Sequence, residues 1–238
     1  MFSFKRDKEQ YDVLKVFKVV DLETAKSFET KKSIDICLKF LKDNYSIPTI
    51  FDLNYGHREW HSFQNFEKGI SKFDDEKIVD FSSFCSPSKS MVSFSNGLLN
   101  DPSPALSYIN ITIAIKKSYL NADLFINLLK GLHEFFEFDY AYGLTLSEDY
   151  EFGSEKKIKK SFFGLSVSIS VTKEDIDLEK KKIEFKNGYV GKIYPFNVLN
   201  KPQLESTLVN QNIENGIGIL SDFNQNLILW RLNENDLL

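Results

Sequence analysis

The chain has 238 residues, 42% hydrophobic and 27% charged, a balance that fits a folded globular protein and excludes a disordered one. A formal net charge of −4 lacks the basic excess that neutralising phosphates demands, which argues against a nucleic-acid binder and leaves room for a basic protein partner. Two cysteines, Cys37 and Cys85, make no disulfide framework, no apolar run reaches bilayer length, and the first residues carry no apolar core of signal-peptide length; a cytoplasmic protein without a membrane segment is expected.

Residues 11–20 mix alternation with an apolar end and read as a strand. Ile34, Cys37, Leu38 and Leu41 recur at helical spacing, which predicts a helix over about 30–44, capped by Thr30 or Ser33 and stopped before Pro48. From 49 to 96 the pattern breaks up. Ile78–Phe81 and Met91–Phe94 read there as short strands, and serine is dense from 82 to 95. Residues 108–115 alternate with period two, the mark of a half-buried strand. A second helix over about 121–137, capped by Asn121 or Asp123, buries Phe125, Leu128, Leu129, Leu132 and Phe136.

Ala141–Leu146 and Phe163–Val171 are further strands, and Thr172 to Asp175 form a loose capping box before a short charged helix. Asn187-Gly188 predicts a hairpin turn with arms Ile183–Phe185 and Tyr189–Tyr194, the second arm ended by Pro195. Asn200 caps a short helix with Pro202 in its first turn, and Ile217–Leu220 with Leu227–Leu232 make a closing strand pair. The expected fold class is α+β: a mostly antiparallel sheet, two longer helices and a short C-terminal helix. With no linker and no repeat, residues 1–238 are expected to form one domain.

No catalytic constellation stands out. His57-Arg-Glu-Trp-His61 would put two histidines on one face of a helix, with Asp52 or Glu59 to complete a site. Arg58, however, stands where a zinc-protease motif needs glutamate, and His133 is the other histidine available. A surface cluster is the favoured reading, so no metal and no cofactor are expected. Gly216-Ile-Gly218 lacks the third glycine of a dinucleotide fingerprint, Ser221 standing there, and Gly191-Lys192 runs into Ile193 instead of Ser or Thr. There is no Gly-x-Ser-x-Gly elbow. The chain is therefore read as no enzyme; the rival reading is a hydrolase reversing a toxin's modification through His57, Glu59 and His61, and a third is a general interaction scaffold.

The strongest local bias is residues 134–155, with seven acids, seven aromatics and no Lys or Arg. Clustered acids steer a basic partner, and tyrosines anchor it at low entropy cost. The candidate contact residues are Glu137, Asp139, Tyr140, Tyr142, Glu148, Asp149, Tyr150 and Glu151. Against this, Phe135, Phe136 and Phe138 can simply be core, with the acids solvating element ends.

Near the C-terminus, Ile193-Tyr-Pro-Phe-Asn-Val-Leu199, Gly216–Leu220 and Leu229-Trp-Arg-Leu232 follow one another, preceded by the run Asp139–Gly143. This succession resembles predicted immunity proteins of bacterial polymorphic-toxin systems: a strand into a Tyr-Pro-x-Asn-x-Leu turn, a short helix, a glycine-containing strand and a closing Leu-x-Trp strand. The resemblance covers residues 139–232. It implies an α+β protein that binds one cognate toxin stoichiometrically and blocks it without chemistry of its own. The resemblance implies that the motif residues are structural, and that the interface diverges with the toxin and does not carry over from the family.

Overall fold

Branched and aromatic residues at Val13, Val16, Phe17 and Val20 favour an extended chain. A computed structural model sets them in β1 (Gln10–Val20), in the middle of a ten-stranded sheet. The structure describes residues 10–45, 48–56, 59–84, 91–116, 122–147, 150–151, 154–161, 164–171 and 180–233. The sheet takes β2 (Ile50–Tyr55), β3 (Glu59–Phe63), β4 (Ile78–Phe84), β5 (Met91–Asn96), β6 (Ser107–Lys116), β7 (Tyr140–Ser147), β11 (Phe196–Asn200), β12 (Ile219–Asp222) and β13 (Leu227–Arg231). Their order is β12-β13-β11-β7-β1-β6-β5-β4-β2-β3, with antiparallel neighbours. A second sheet joins β8 (Tyr150–Glu151), β9 (Ser154–Ser161) and β10 (Gly164–Val171). The fold is α+β with a large antiparallel sheet, as composition and patterning imply.

One face of the large sheet carries the main core. Leu14, Val16, Ile111, Ile113, Val92 and Phe94 belong to it, each almost fully buried. Two helices cover them: α2 (Thr30–Asn44) through Ile34, Cys37, Leu38 and Leu41, and α5 (Ala122–Phe135) through Phe125, Leu128, Leu129 and Leu132. The short helices α1 (Leu22–Ser27), α3 (Phe66–Ile70) and α4 (Gly97–Asn100) fill in around them. Burial of the Cys37 thiol pushes its pKa far up, so it acts as a small hydrophobe and not as a nucleophile. The expected caps of α2 do not hold. Its N-cap is Glu29, and Thr30 and Ser33 are buried inside the first turn, where the Ser33 hydroxyl donates back to the Glu29 carbonyl at 3.1 Å.

The hairpin expected at Asn187-Gly188 is also corrected. Lys182–Asn187 form a 3-10 helix, and Gly188 ends it with φ 101°. Turning the chain this way sends the fully buried Phe185 into a cluster of rings and brings the Pro202 carbonyl to 2.8 Å from where a Cβ on Gly188 would sit. Pro195 accordingly precedes a strand, β11, instead of ending one. Asn200 does cap α6 (Lys201–Leu204), in a reciprocal capping box with Gln203. The helix α7 (Thr207–Glu214) and the strands β2, β3 and β9 do not follow from periodicity. Asn121 and the capping box at Thr172 to Asp175 lie outside the described residues.

Candidate functional site

Among the described residues the acidic-aromatic run is divided between core and surface. Tyr140 and Tyr142 are 1% and 2% exposed and belong to a ring cluster on the second face of the sheet, which corrects their assignment as contact residues. Strand alternation is the cause: Tyr140, Tyr142 and Leu144 on β7 face the segment 182–213, and Tyr142 stacks on Tyr194 at 3.9 Å between ring centres. Burial raises the Tyr140 hydroxyl well above its ordinary pKa. Tyr150 and Glu151 form strand β8, while Glu148 and Asp149 lie outside the described residues.

Asp139 is a structural bracket. Its N–H donates to the Phe17 carbonyl at 2.9 Å and its Oδ2 accepts the Val19 N–H at 2.7 Å, so one residue extends the β1–β7 ladder through both its backbone and its side chain. The Asn200 amide holds its carbonyl at 3.2 Å. The rest of the resemblance-bearing motif is equally structural. Asn197 accepts the Tyr194 N–H at 3.2 Å and donates to the Tyr194 carbonyl at 2.6 Å, bracing the turn around Pro195. Trp230 is 1% exposed and donates to the Ile217 carbonyl at 3.0 Å.

Glu137 and Asp139 do meet in a cavity of about 420 Å³ at one end of the sheet, with Lys18, His133 and Lys186. The Lys18 ammonium donates to the Glu137 carbonyl at 2.5 Å. Burial lowers the pKa of Lys18 and of His133 and raises that of Asp139, and the opposite charges around each resist those shifts. Clustered perturbed groups in a cavity are a common mark of a functional site. Here geometry gives several of the lining residues a local structural role, since Asp139 completes a ladder, Asp21 caps α1 and Asn200 caps α6.

The zinc-like pattern is not supported at His61. Glu59–Phe63 is a strand, so residues four apart are not one helical turn apart; the His61 ring instead packs on Phe73, with Nε2 3.8 Å from a Glu59 carboxylate oxygen. His57 and Arg58 lie outside the described residues. Among the described residues no group of three or more His, Cys, Asp or Glu could hold a metal ion.

A surface that motif reading passes over lies on the second face of the sheet, from β3 to β6. Strand registers align Ser62, Asp52, Ser82, Ser93 and Thr112 in one row across five strands. Trp60, Asn54, Asp80, Ser95 and Asn110 make the next row. At roughly 4.8 Å per strand, each row runs about 19 Å. Neither row contains Lys or Arg; Lys15 on β1 bounds the first. Trp60 is 64% exposed, and Ile50 and Phe84, directly paired at the rim, are 50% and 44% exposed. Ser82, Ser93 and Ser95, from the serine-dense stretch 82–95, lie on this face.

No protein-family model matches the sequence, and no curated protein matches it. Among solved structures the chain is similar to Pseudomonas aeruginosa T6SS protein PA0821, with a TM-score of 0.52 at 8% identity over 97% of this chain and 68% of that one. At this identity the likeness is one of fold. No helix among the described residues is long and apolar enough to cross a membrane.

Proposed function

We propose that this protein is an immunity protein, which binds a cognate bacterial toxin stoichiometrically and neutralises it in the cytoplasm without bond-making of its own. The observation that carries the reading is the fold likeness, over nearly the whole chain, to a protein that its name associates with a T6SS. The C-terminal resemblance supports it: Asn197, Leu199 and Trp230 are buried or braced and so maintain the scaffold, leaving other surfaces to the partner. The toxin is expected to offer a basic surface, in keeping with the net charge of −4.

Co-expression with a candidate toxin tests this. Growth should be restored at a one-to-one ratio, and the two chains should elute together on size exclusion. Protection at a small fraction of the toxin's concentration, or protection with no complex, would mean that the protein turns over a substrate, and the proposal would fall.

A further inference from the structure

The open rows on β2 to β6 have an unusual hydrogen-bonding balance. Asn54 is 6% exposed, and its amide donates to Asp80 Oδ2 at 3.1 Å, yet its Oδ1 has no partner. The neighbouring carboxylate fixes the amide's orientation, because turning it over would set two oxygens against each other. Asn110 lies in the same row with its amide 3.2 Å from Thr112 Oγ1, a hydroxyl that pairs with either end of the amide. Asp52 adds a second carboxylate, accepting from Ser62 at 2.6 Å. A buried acceptor left unpaired costs about 1–3 kcal/mol, and its partial negative charge adds to that of the two carboxylates in favouring a cation over this row.

Directly paired with Asn54 across β2 and β3 stands Trp60, its ring the most exposed of the large hydrophobic side chains described. An indole face beside carboxylates suits a planar cation, which stacks on the ring while its edge donates. Lysine, a compact point charge with three donors, meets the acceptors but not the plane. We infer that this face is the partner-docking surface and that it takes an arginine side chain of the toxin, stacked on Trp60 and hydrogen-bonded to Asp80. The exposed pair Ile50 and Phe84 forms the apolar rim of the same contact. This rests on the binding reading above and moves the contact from the acidic-aromatic run to the opposite half of the sheet.

Two measurements separate the site from the function. In the first, the full chain is titrated with the tripeptide acetyl-Gly-Arg-Gly-amide and with its neutral citrulline counterpart, following Trp60 fluorescence over the constant background of buried Trp230. The arginine peptide should bind at least about 10-fold more tightly than the citrulline one, and Asp80→Asn should weaken it by about 10-fold. Asp52→Asn, which leaves the Asn54–Asp80 pair intact, should weaken it by about 3-fold and carries the test if D80N fails to fold. Equal response to both peptides, or arginine binding unmoved by either variant, overturns the site; so does a concentration-dependent dimer lost in Trp60→Ala without arginine selectivity, which would make the face a self-association surface.

The second measurement is the co-expression rescue with the same variants. Rescue lost in D80N and W60A supports the docking surface. Rescue by the unaltered chain that survives in both variants sinks the docking surface and spares the immunity reading. Arginine selectivity in a chain that never rescues does the reverse.

Discussion

Two stretches of the second face of the large sheet differ in kind. Across β1, β7, β11 and β13 it presents Phe17, Tyr142, Leu199 and Trp230, and the segment from Lys182 to Ile213 covers them. Across β2, β4 and β5 the same alternation presents Asp52, Ser82 and Ser93, and the face stays partly open. Register assigns both halves to one face, so geometry does not separate them; residue chemistry does. Rings of 150–250 Å² bring their own cover, whereas hydroxyls and carboxylates keep their water until something with better donors arrives. The covered half is where stability resides, and the open half is where substitutions should change binding while leaving the fold alone.

The two tryptophans give the sharpest test of that division. Trp230→Ala empties a fully buried site and strands the Ile217 carbonyl, and it should cost about 3–5 kcal/mol in urea denaturation. Trp60→Ala should stay within about 0.5 kcal/mol. Comparable losses at the two positions would break the comparison. Gly218 extends it. Its φ of 77° already favours glycine, and a Cβ there would meet Trp230 Nε1 at 2.5 Å and the Arg231 carbonyl at 2.7 Å. Gly218→Ala should therefore cost about 2–3 kcal/mol, beyond the roughly 1–2 kcal/mol of left-handed strain alone. Gly216, with φ 74° and open space around it, should show the strain alone, roughly 1 kcal/mol.

A milder contrast separates two acids that the sequence treats alike. Asp139→Ala removes the acceptor of the Val19 N–H and should cost about 1–3 kcal/mol. Glu137→Ala, at an exposed position whose carbonyl and not its carboxylate holds Lys18, should change stability by no more than about 0.5 kcal/mol. Thermal melts of the two variants side by side decide it.

These same residues show how far the sequence could be read. The helices α2 and α5 and the strands β1 and β6 follow from periodicity, since each buries one continuous apolar set: Ile34, Cys37, Leu38 and Leu41 on α2, and Ile109, Ile111, Ile113 and Ile115 on β6. The cap at Asn200 is legible because its partner Gln203 lies three residues away. Acidic-aromatic clustering misplaces Tyr140 and Tyr142 because composition has no direction. Asp139, Tyr140 and Tyr142 are close in sequence, but alternation and the return of 182–213 bury both rings and tie the acid to β1. The open face is not legible for a related reason: Asp52, Trp60, Asp80, Ser93 and Asn110 come from five strands, and register alone assembles them.

The smallest predicted effect concerns the cavity at the sheet's end, where stability should respond to pH with two opposite signs. His133 is held below its ordinary pKa by burial, with Glu137 and Asp139 pulling it up and Lys18 pushing it down. In the window below about 6.5 the unfolded chain therefore binds more protons than the folded one, and stability falls as pH falls. Asp139 is held above its ordinary value, also by burial, so just above 3.8 the folded chain binds more protons and stability rises as pH falls. His133→Phe preserves the ring contacts with Phe138 and Phe223 and deletes the titration. Urea midpoints at pH 7.5 and 5.5 should then differ less in H133F than in the unaltered chain, and because other histidines remain in both proteins the difference isolates this one. An unchanged or steeper slope in the variant would show that His133 is not the group losing its charge on folding, and that the cavity end is wetter than its burial implies.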